Sequence, residues 1–321
     1  MPSLLKLILR RVALGLLTLL LVSALVFAAT QALPGDTATA ILGKSATPER
    51  VEVLRDRLGL DQSLTAQYFT WLGGIVRGDP GDSLAATGQS VGQLLGPRVV
   101  NSAALLVAAA LISIPLSILV GSLSGRFRDG LFDSSVSMGS LALAALPEFV
   151  LGILLIMLLS VQALHVFPAV SRVNPQLSIW SQMNNLWLPA LTLGLACFPY
   201  IVRMLRGSMI EVFESDYVQM ARLKGMRERI VLQRHALPNA IIPVIQVIAL
   251  NLAWLAGGVV VVEYLFNYPG IGSALVGAVS NRDVPMIQAI VLLIAALYVV
   301  LNLTADVVTI LISPRLRTGL Q

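Results

Sequence analysis

Six stretches of this chain are apolar over lengths that match the hydrocarbon layer of a bilayer, and that match constrains its fold more than any other feature. A helix crossing ~30 Å needs about 20 mostly apolar residues at a rise of about 1.5 Å each. The stretches run approximately Val12 to Ala29, Val99 to Gly121, Val136 to Val161, Leu186 to Val202, Ala240 to Val262 and Pro285 to Ile312. They are continuously apolar and do not alternate over short segments, which predicts helices and not barrel strands. Of the 321 residues, 56% are hydrophobic and 12% charged, and mean hydropathy is +0.83, more apolar surface than one soluble core buries. The chain reads as an all-α membrane protein with about six transmembrane helices. The fourth stretch is the shortest and is expected to recruit residues on either side.

Orientation follows from Lys and Arg beside the spans, because basic loops stay cytoplasmic. One set of segments holds fourteen: Lys6, Arg10 and Arg11 at the start, Arg126 and Arg128 in the second loop, seven from Arg203 to Arg234 in the fourth, and Arg315 and Arg317 in the tail. The opposite segments hold eight, six of them spread through one long segment, 32–98, where the rule is weak. Both termini are therefore expected in the cytoplasm. The net charge of +5 reads as a topology signal, and nucleic acid is not an expected partner. The first apolar run, 18 residues, exceeds the roughly 7–15 of a cleaved signal and is expected to be retained. Cys197, the single cysteine, excludes an intramolecular disulfide and is expected to serve packing.

The organisation follows the spans. Residues 1–31 comprise the N-terminal segment and first span, 32–98 an outer loop region, 99–314 the five further spans, and 315–321 a cytoplasmic tail. Within the outer region, Glu49 to Leu60 places Val51, Leu54 and Leu58 at helical spacing, predicting a short amphipathic helix against the membrane. Pro175 and the polar run Ser178 to Asn185 mark the second outer loop, and Asn267-Tyr268-Pro269-Gly270 marks a turn in the third. The inner loop 207–239 is the most informative. Ser215-Asp216 supplies an N-cap, Tyr217 to Lys224 reads as a short helix, Gly225 permits left-handed termination, and Glu228 to Leu237 reads as a second helix. Such a knob could dock in a groove on a soluble partner, with Val218, Ala221 and Leu223 giving apolar contact and Arg222, Lys224 and Arg227 electrostatic register. From the residues alone the loop reads equally as a basic segment that only fixes topology.

Other motifs carry less. Ala38 to Ser45 satisfies a loose phosphate-loop pattern, but it follows a spanning helix, has one glycine and faces away from cytoplasmic ATP, so it is read as chance. Glu148 and Asp306 fall within spans, where a carboxylate is a functional candidate by default. Glu148 is a possible pathway residue beside Pro147, and Asp306 lies near enough to the cytoplasmic end to reach headgroups. If either bound a coupling ion, the chain would be an ion-driven secondary transporter. His165 and His235 fall on opposite sides and cannot share a metal. No enzyme constellation is found. Pro115, Pro147, Pro189, Pro199 and Pro243 interrupt the spans as kinks, and Gly257-Gly258 permits close helix contact.

The run Asp216-Tyr217-Val218-Gln219-Met220-Ala221-Arg222-Leu223-Lys224-Gly225, followed after nine residues by His235-Ala236-Leu237-Pro238, resembles the coupling-loop signature of ABC importer permeases. That signature is Glu-Ala-Ala, three residues, Gly, nine residues, Ile-x-Leu-Pro. Ala221, Gly225, Leu237 and Pro238 match, Gln219-Met220 replaces Glu-Ala, and His235 replaces Ile. This variant, with Arg234-His235-Ala236-Leu237, resembles the first of the paired permeases of the dipeptide and oligopeptide branch. The likeness extends through Leu9-Arg10-Arg11, Leu33-Pro34-Gly35-Asp36, Leu58-Gly59-Leu60-Asp61, Leu146-Pro147-Glu148-Phe149, Leu188-Pro189-Ala190-Leu191, Pro269-Gly270-Ile271-Gly272 and Ser313-Pro314-Arg315.

The resemblance implies a type I importer permease fold with a cytoplasmic coupling helix, in which Asp216, Tyr217, Val218, Ala221, Arg222, Lys224, Gly225, Arg234, His235, Leu237 and Pro238 serve ATPase coupling. The implied partners are a homologous second permease, two cytoplasmic ATPases and an extracytoplasmic solute-binding protein, all around a lipid membrane. ATP and Mg would bind the ATPases, leaving this chain with no cofactor of its own. Cargo would be a di- or oligopeptide, or a related small solute such as a nickel complex, glutathione or haem.

Overall fold

Two serines and one proline set helix boundaries in this protein. Its computed structural model describes residues 4–32, 47–58, 62–86, 88–162, 166–173 and 182–312. The helices are α1 (Leu4–Gln31), α2 (Pro48–Leu58), α3 (Leu64–Val76), α4 (Val91–Arg126), α5 (Leu131–Ala145), α6 (Glu148–Ile156), α7 (Met183–Phe213), α8 (Asp216–Leu223), α9 (Leu237–Leu265), α10 (Ile271–Ser280) and α11 (Val284–Ile312). Among the described residues there is no strand, only an isolated bridge between Asp82 and Ser90. Ser63 and Ser90 each accept a hydrogen bond from a first-turn N–H, of Ala66 and Gln93, and so fix where α3 and α4 begin. The second span therefore starts well before the expected Val99, and the expected amphipathic helix is α2.

Among the described residues five helices, α1, α4, α7, α9 and α11, are long and apolar enough to cross a membrane, and α5 with α6, bent by 107° at their junction, qualifies as a pair, a broken span or a re-entrant loop. The sequence led us to expect one continuous span from Val136 to Val161, and the break corrects that. Pro147 has no N–H to donate and disfavours α-helical backbone at the residue before it. Leu146 is accordingly extended, with φ −88° and ψ 128°. Pro115, Pro189, Pro199 and Pro243 by contrast lie inside unbroken helices. The fourth span does recruit residues on both sides, growing to Met183–Phe213.

The helix α7 forms the centre of the bundle. Of its apolar window 67% is buried, against 17–28% for the other four long spans, whose remaining surface faces outward. Its buried face, including Leu186, Leu193, Ile201, Leu205 and Met209, forms the main core with α4 and α9. Small residues let α4 approach closely: a Cβ on Gly121 would lie 3.1 Å from Leu205 Cβ, and one on Gly125 only 2.6 Å from Met209 Cβ. Cys197 is buried in this core, at 1% exposure.

Buried carboxylates fasten the ends of the bundle. At the end where α9 finishes, Glu263 is fully buried and accepts from Ser102 Oγ on α4 and from the N–H groups of Gly272 and Ser273 at the start of α10. The Tyr268 hydroxyl donates to Asn101 O at 2.8 Å, and burial, with the Glu263 charge beside it, pushes that hydroxyl above the ordinary tyrosine range. At the same end Asp283 accepts from Ser83 Oγ and from the N–H groups of Leu84 and Met286, pinning the segment around the Asp82–Ser90 bridge to the start of α11. At the opposite end, where α8 projects, Asp133 holds Arg206.

Candidate functional site

The projecting element is the loop between α7 and α9, and its conformation follows from four local features. Ser215 is extended, with φ −71° and ψ 146°, the geometry of an N-cap, but its hydroxyl donates to Val212 O instead of accepting from α8. That corrects the side-chain cap expected of it. Gly225 stands at φ +74°, the left-handed conformation expected at the end of α8, and nothing lies within 4 Å of where its Cβ would be. After Gly225 the chain turns helical again at Glu228–Ile230, passes through a π-helical stretch Val231–Ala236, and runs without interruption into α9. The expected separation of a second short helix from the fifth span at Pro238 does not occur. Pro238 has no N–H for a regular helical bond, and at its threshold Leu237 N–H bonds to Leu232 O, five residues back, which carries the helix past the proline.

Burial divides the residues of α8 into two faces. Val218 (0% exposed) and Ala221 (6%) pack with Val231, Val212, Phe213 and Met226 into a small core. The apolar contact expected of Val218 and Ala221 with a partner is thus made inside the chain. The outward face consists of Tyr217, Met220 and Leu223, with Leu223 82% exposed. Arg222 donates to Glu228 at 2.8 Å and lies over the Phe213 ring at 5.1 Å, bracing α8 against the segment that follows Gly225. Asp216, Lys224 and Arg234 are exposed, as is Pro238. His235 is half-buried and its carbonyl accepts from Asn239, while Leu237 packs against the main core. The sequence-derived residues therefore gather into one exposed knob with its own apolar centre.

The second candidate, Glu148, stands at the break between α5 and α6. Its carboxylate faces α9, where a Cβ on Gly258 would lie 2.7 Å from Oε2. Among the described residues that buried oxygen has no hydrogen-bond partner. Gly258 thus makes room for a side-chain carboxylate, in place of the close helix contact expected of this glycine pair. Gly257 has nothing nearby. Asp306 differs, since Arg11 on α1 pairs with it at 3.2 Å. Among the described residues no three of His, Cys, Asp and Glu converge on a possible metal position. The segment Ala38–Ser45, Leu33–Asp36, His165, Pro175, the start of the polar run at Ser178 and the tail 315–321 lie outside the described residues.

Sequence reasoning passed over the buried carboxylates at the two ends. Asp133, Glu263 and Asp283 read as ordinary charges beside spans. The one available signal was at Asp283, which stands immediately before Val284-Pro285, the pattern of an N-cap ahead of an early proline.

Comparison with known proteins agrees with this architecture along almost the whole chain. Residues 4–113 match the N-terminal part of the binding-protein-dependent transport system membrane components, and residues 113–318 match the inner membrane component of the same systems. Among curated relatives, a probable peptide ABC transporter permease protein of Sinorhizobium fredii is 35% identical over 97% of this chain and 98% of its own length. The oligopeptide transport system permease protein AppB of Bacillus subtilis is 34% identical over 96% and 98%. The dipeptide transport system permease protein DppB of Lactococcus lactis is 34% identical over 97% and 99%. Matched from end to end and built of apolar helices around a projecting loop, the chain belongs to the inner membrane components of binding-protein-dependent transport systems, the permease subunits of ABC transporters.

Proposed function

We propose that this chain forms, with a homologous second permease, the pathway of an ATP-driven peptide importer, and that the knob Asp216–Pro238 is where a cytoplasmic ATPase grips it. The observation that carries the reading is the division of α8 into two faces: Val218 and Ala221 make the knob rigid from within, leaving Tyr217, Met220 and Leu223 as an outward apolar row. An apolar row on a short helix suits a groove on a soluble protein, where Arg222 and Lys224 set register. ATP and Mg act in the partner ATPases, and this chain makes no covalent change. The assembly has two ATPases, and both termini of this chain lie on their side, in the cytoplasm. A solute-binding protein brings cargo to the opposite face, formed by residues 32–98 and 263–283. Closure of the ATPases moves the knobs and switches access across the membrane. Glu148, with an oxygen unpaired among the described residues at the break between α5 and α6, lines the pathway.

The peptide cargo is supported by the names of the relatives above. The test is reconstitution of the complete complex in liposomes with its binding protein. Di- and oligopeptides are expected to stimulate ATP hydrolysis and to accumulate only with ATP. Uptake driven by an ion gradient without any nucleotide-hydrolysing partner would overturn the reading and favour a secondary transporter that uses Glu148, because Asp306 is already paired with Arg11.

A further inference from the structure

At the knob end of the bundle, four donors from three places in the chain converge on one buried carboxylate. Asp133, on the first turn of α5, is 2% exposed. Arg206 of α7 donates to both of its oxygens, through Nε at 2.5 Å and Nη2 at 2.6 Å. Ser124 Oγ, near the end of α4, donates to Oδ1 at 2.5 Å, and the N–H of Asp129 donates to Oδ2 at 3.0 Å. Asp129 reaches that position in the left-handed conformation, φ +62°, which residues other than glycine uncommonly adopt. A second, exposed tie runs beside it: Arg128, in the turn between α4 and α5, donates to Glu214, the residue that ends α7.

The position of this cluster gives it a mechanical meaning. Glu214 and Ser215 are the only residues between α7 and α8, and α7 is one unbroken helix from the far end of the bundle to that joint. A displacement of α8 therefore acts first on the last turns of α7. There Gly121 and Gly125 bring α4 into direct contact with Leu205 and Met209, and Asp133 bonds α7 to both α4 and α5. At its other end α4 carries Ser102, which donates to Glu263. A planar guanidinium gripping a carboxylate with two bonds resists rotation and sliding as a single contact does not.

We propose that Asp133 and Arg206 are positioning residues for coupling: their clamp makes α4, α5 and α7 move as one body when the knob is displaced, so that motion at the knob reaches the far end. The inference rests on the reading of the knob as the ATPase dock. Without the clamp, α7 can follow α8 while α4 and α5 stay behind, and ATP is hydrolysed without transport.

The experiment uses the complete complex in liposomes, with radiolabelled alanine di-, tri- and tetrapeptides as probes, and reads the ratio of peptide taken up to ATP hydrolysed. Asp133→Asn and Arg206→Gln are each expected to lower that ratio at least tenfold while the complex still purifies with both ATPases and still hydrolyses ATP. The double variant is expected to fall no further, because both changes break one contact. Arg206→Lys, which keeps the charge and loses the fork, is expected to lie between, and it decides the matter if Asp133→Asn does not assemble. An unchanged ratio in assembled Asp133→Asn or Arg206→Lys complex, including one in which uptake and hydrolysis fall together, would overturn the proposal and leave the clamp a fastening only. Leu223→Asp on the knob separates the two readings: it should release the ATPases whatever happens at Asp133. Complex that keeps its ATPases and transports normally with Leu223→Asp would bring down the dock itself.

Discussion

The conformation of Gly225 makes a discriminating test of the knob possible at the scale of one residue. Its φ of +74° costs most residues about 1–2 kcal/mol, yet the space around it is empty, so strain and not collision limits what can stand there. Asn tolerates the left-handed region several times better than other side chains, whereas a β-branched residue does so least. Gly225→Val is therefore expected to distort the reversal after α8 and to uncouple ATP hydrolysis from uptake, while Gly225→Asn keeps coupling near the wild-type level. Equal behaviour of the two variants in an uptake-to-hydrolysis assay would remove the backbone argument. Gly225 was legible because glycine at a helix end is a local signal. The facing of Val218 and Ala221 was not, since eight residues of helix define an apolar side without saying whether the chain or a partner covers it. The buried acids were less legible still: Glu263 and its Ser102 donor are 161 positions apart, and Asp133 and Arg206 are 73 apart.

At the scale of elements, spans were readable from hydropathy, but their ends and breaks were set by contacts that hydropathy omits. The short helix α10 follows a recognised turn, yet its apolar run is only ten residues long and its start is fixed by the Glu263 carboxylate. Five other prolines, Pro97, Pro115, Pro189, Pro199 and Pro243, sit in intact helices, so the restriction a proline places on the residue before it did not by itself announce the break at Pro147. The α4–α7 contact makes a prediction at this scale. A side chain at Gly125 would meet Met209 Cβ at 2.6 Å, whereas Gly207 on α7 has nothing within 4 Å. Gly125→Leu is expected to force the two helices apart and to destabilise the permease by about 1–3 kcal/mol, as overpacking does. Gly207→Ala is expected to be neutral or slightly stabilising, because alanine favours helix. Thermal unfolding of the purified complex distinguishes them, and an undisturbed transition for Gly125→Leu would show that the seam can open freely.

For the whole molecule, the decisive quantity is which end of the bundle faces the cytoplasm, because ATP is there. The end that carries α8 also carries Arg126, Arg128, Arg203, Arg222, Lys224, Arg227 and Arg229, and the cost of translocating such loops is expected to keep them inside. On that orientation the far end, with the Glu263 and Asp283 fastenings, would face outward, where the proposed binding protein would meet it. Single reporter cysteines test this directly, since the native Cys197 is buried at 1% exposure and does not compete for a bulky reagent. A membrane-impermeant maleimide should label Lys224→Cys in inside-out vesicles and not in intact spheroplasts, and should label Asn281→Cys, at the exposed end of α10, in spheroplasts and not in inside-out vesicles. The reverse pattern would put the knob beyond the reach of any cytoplasmic ATPase, and the coupling mechanism would fail with it, however well the knob itself is built.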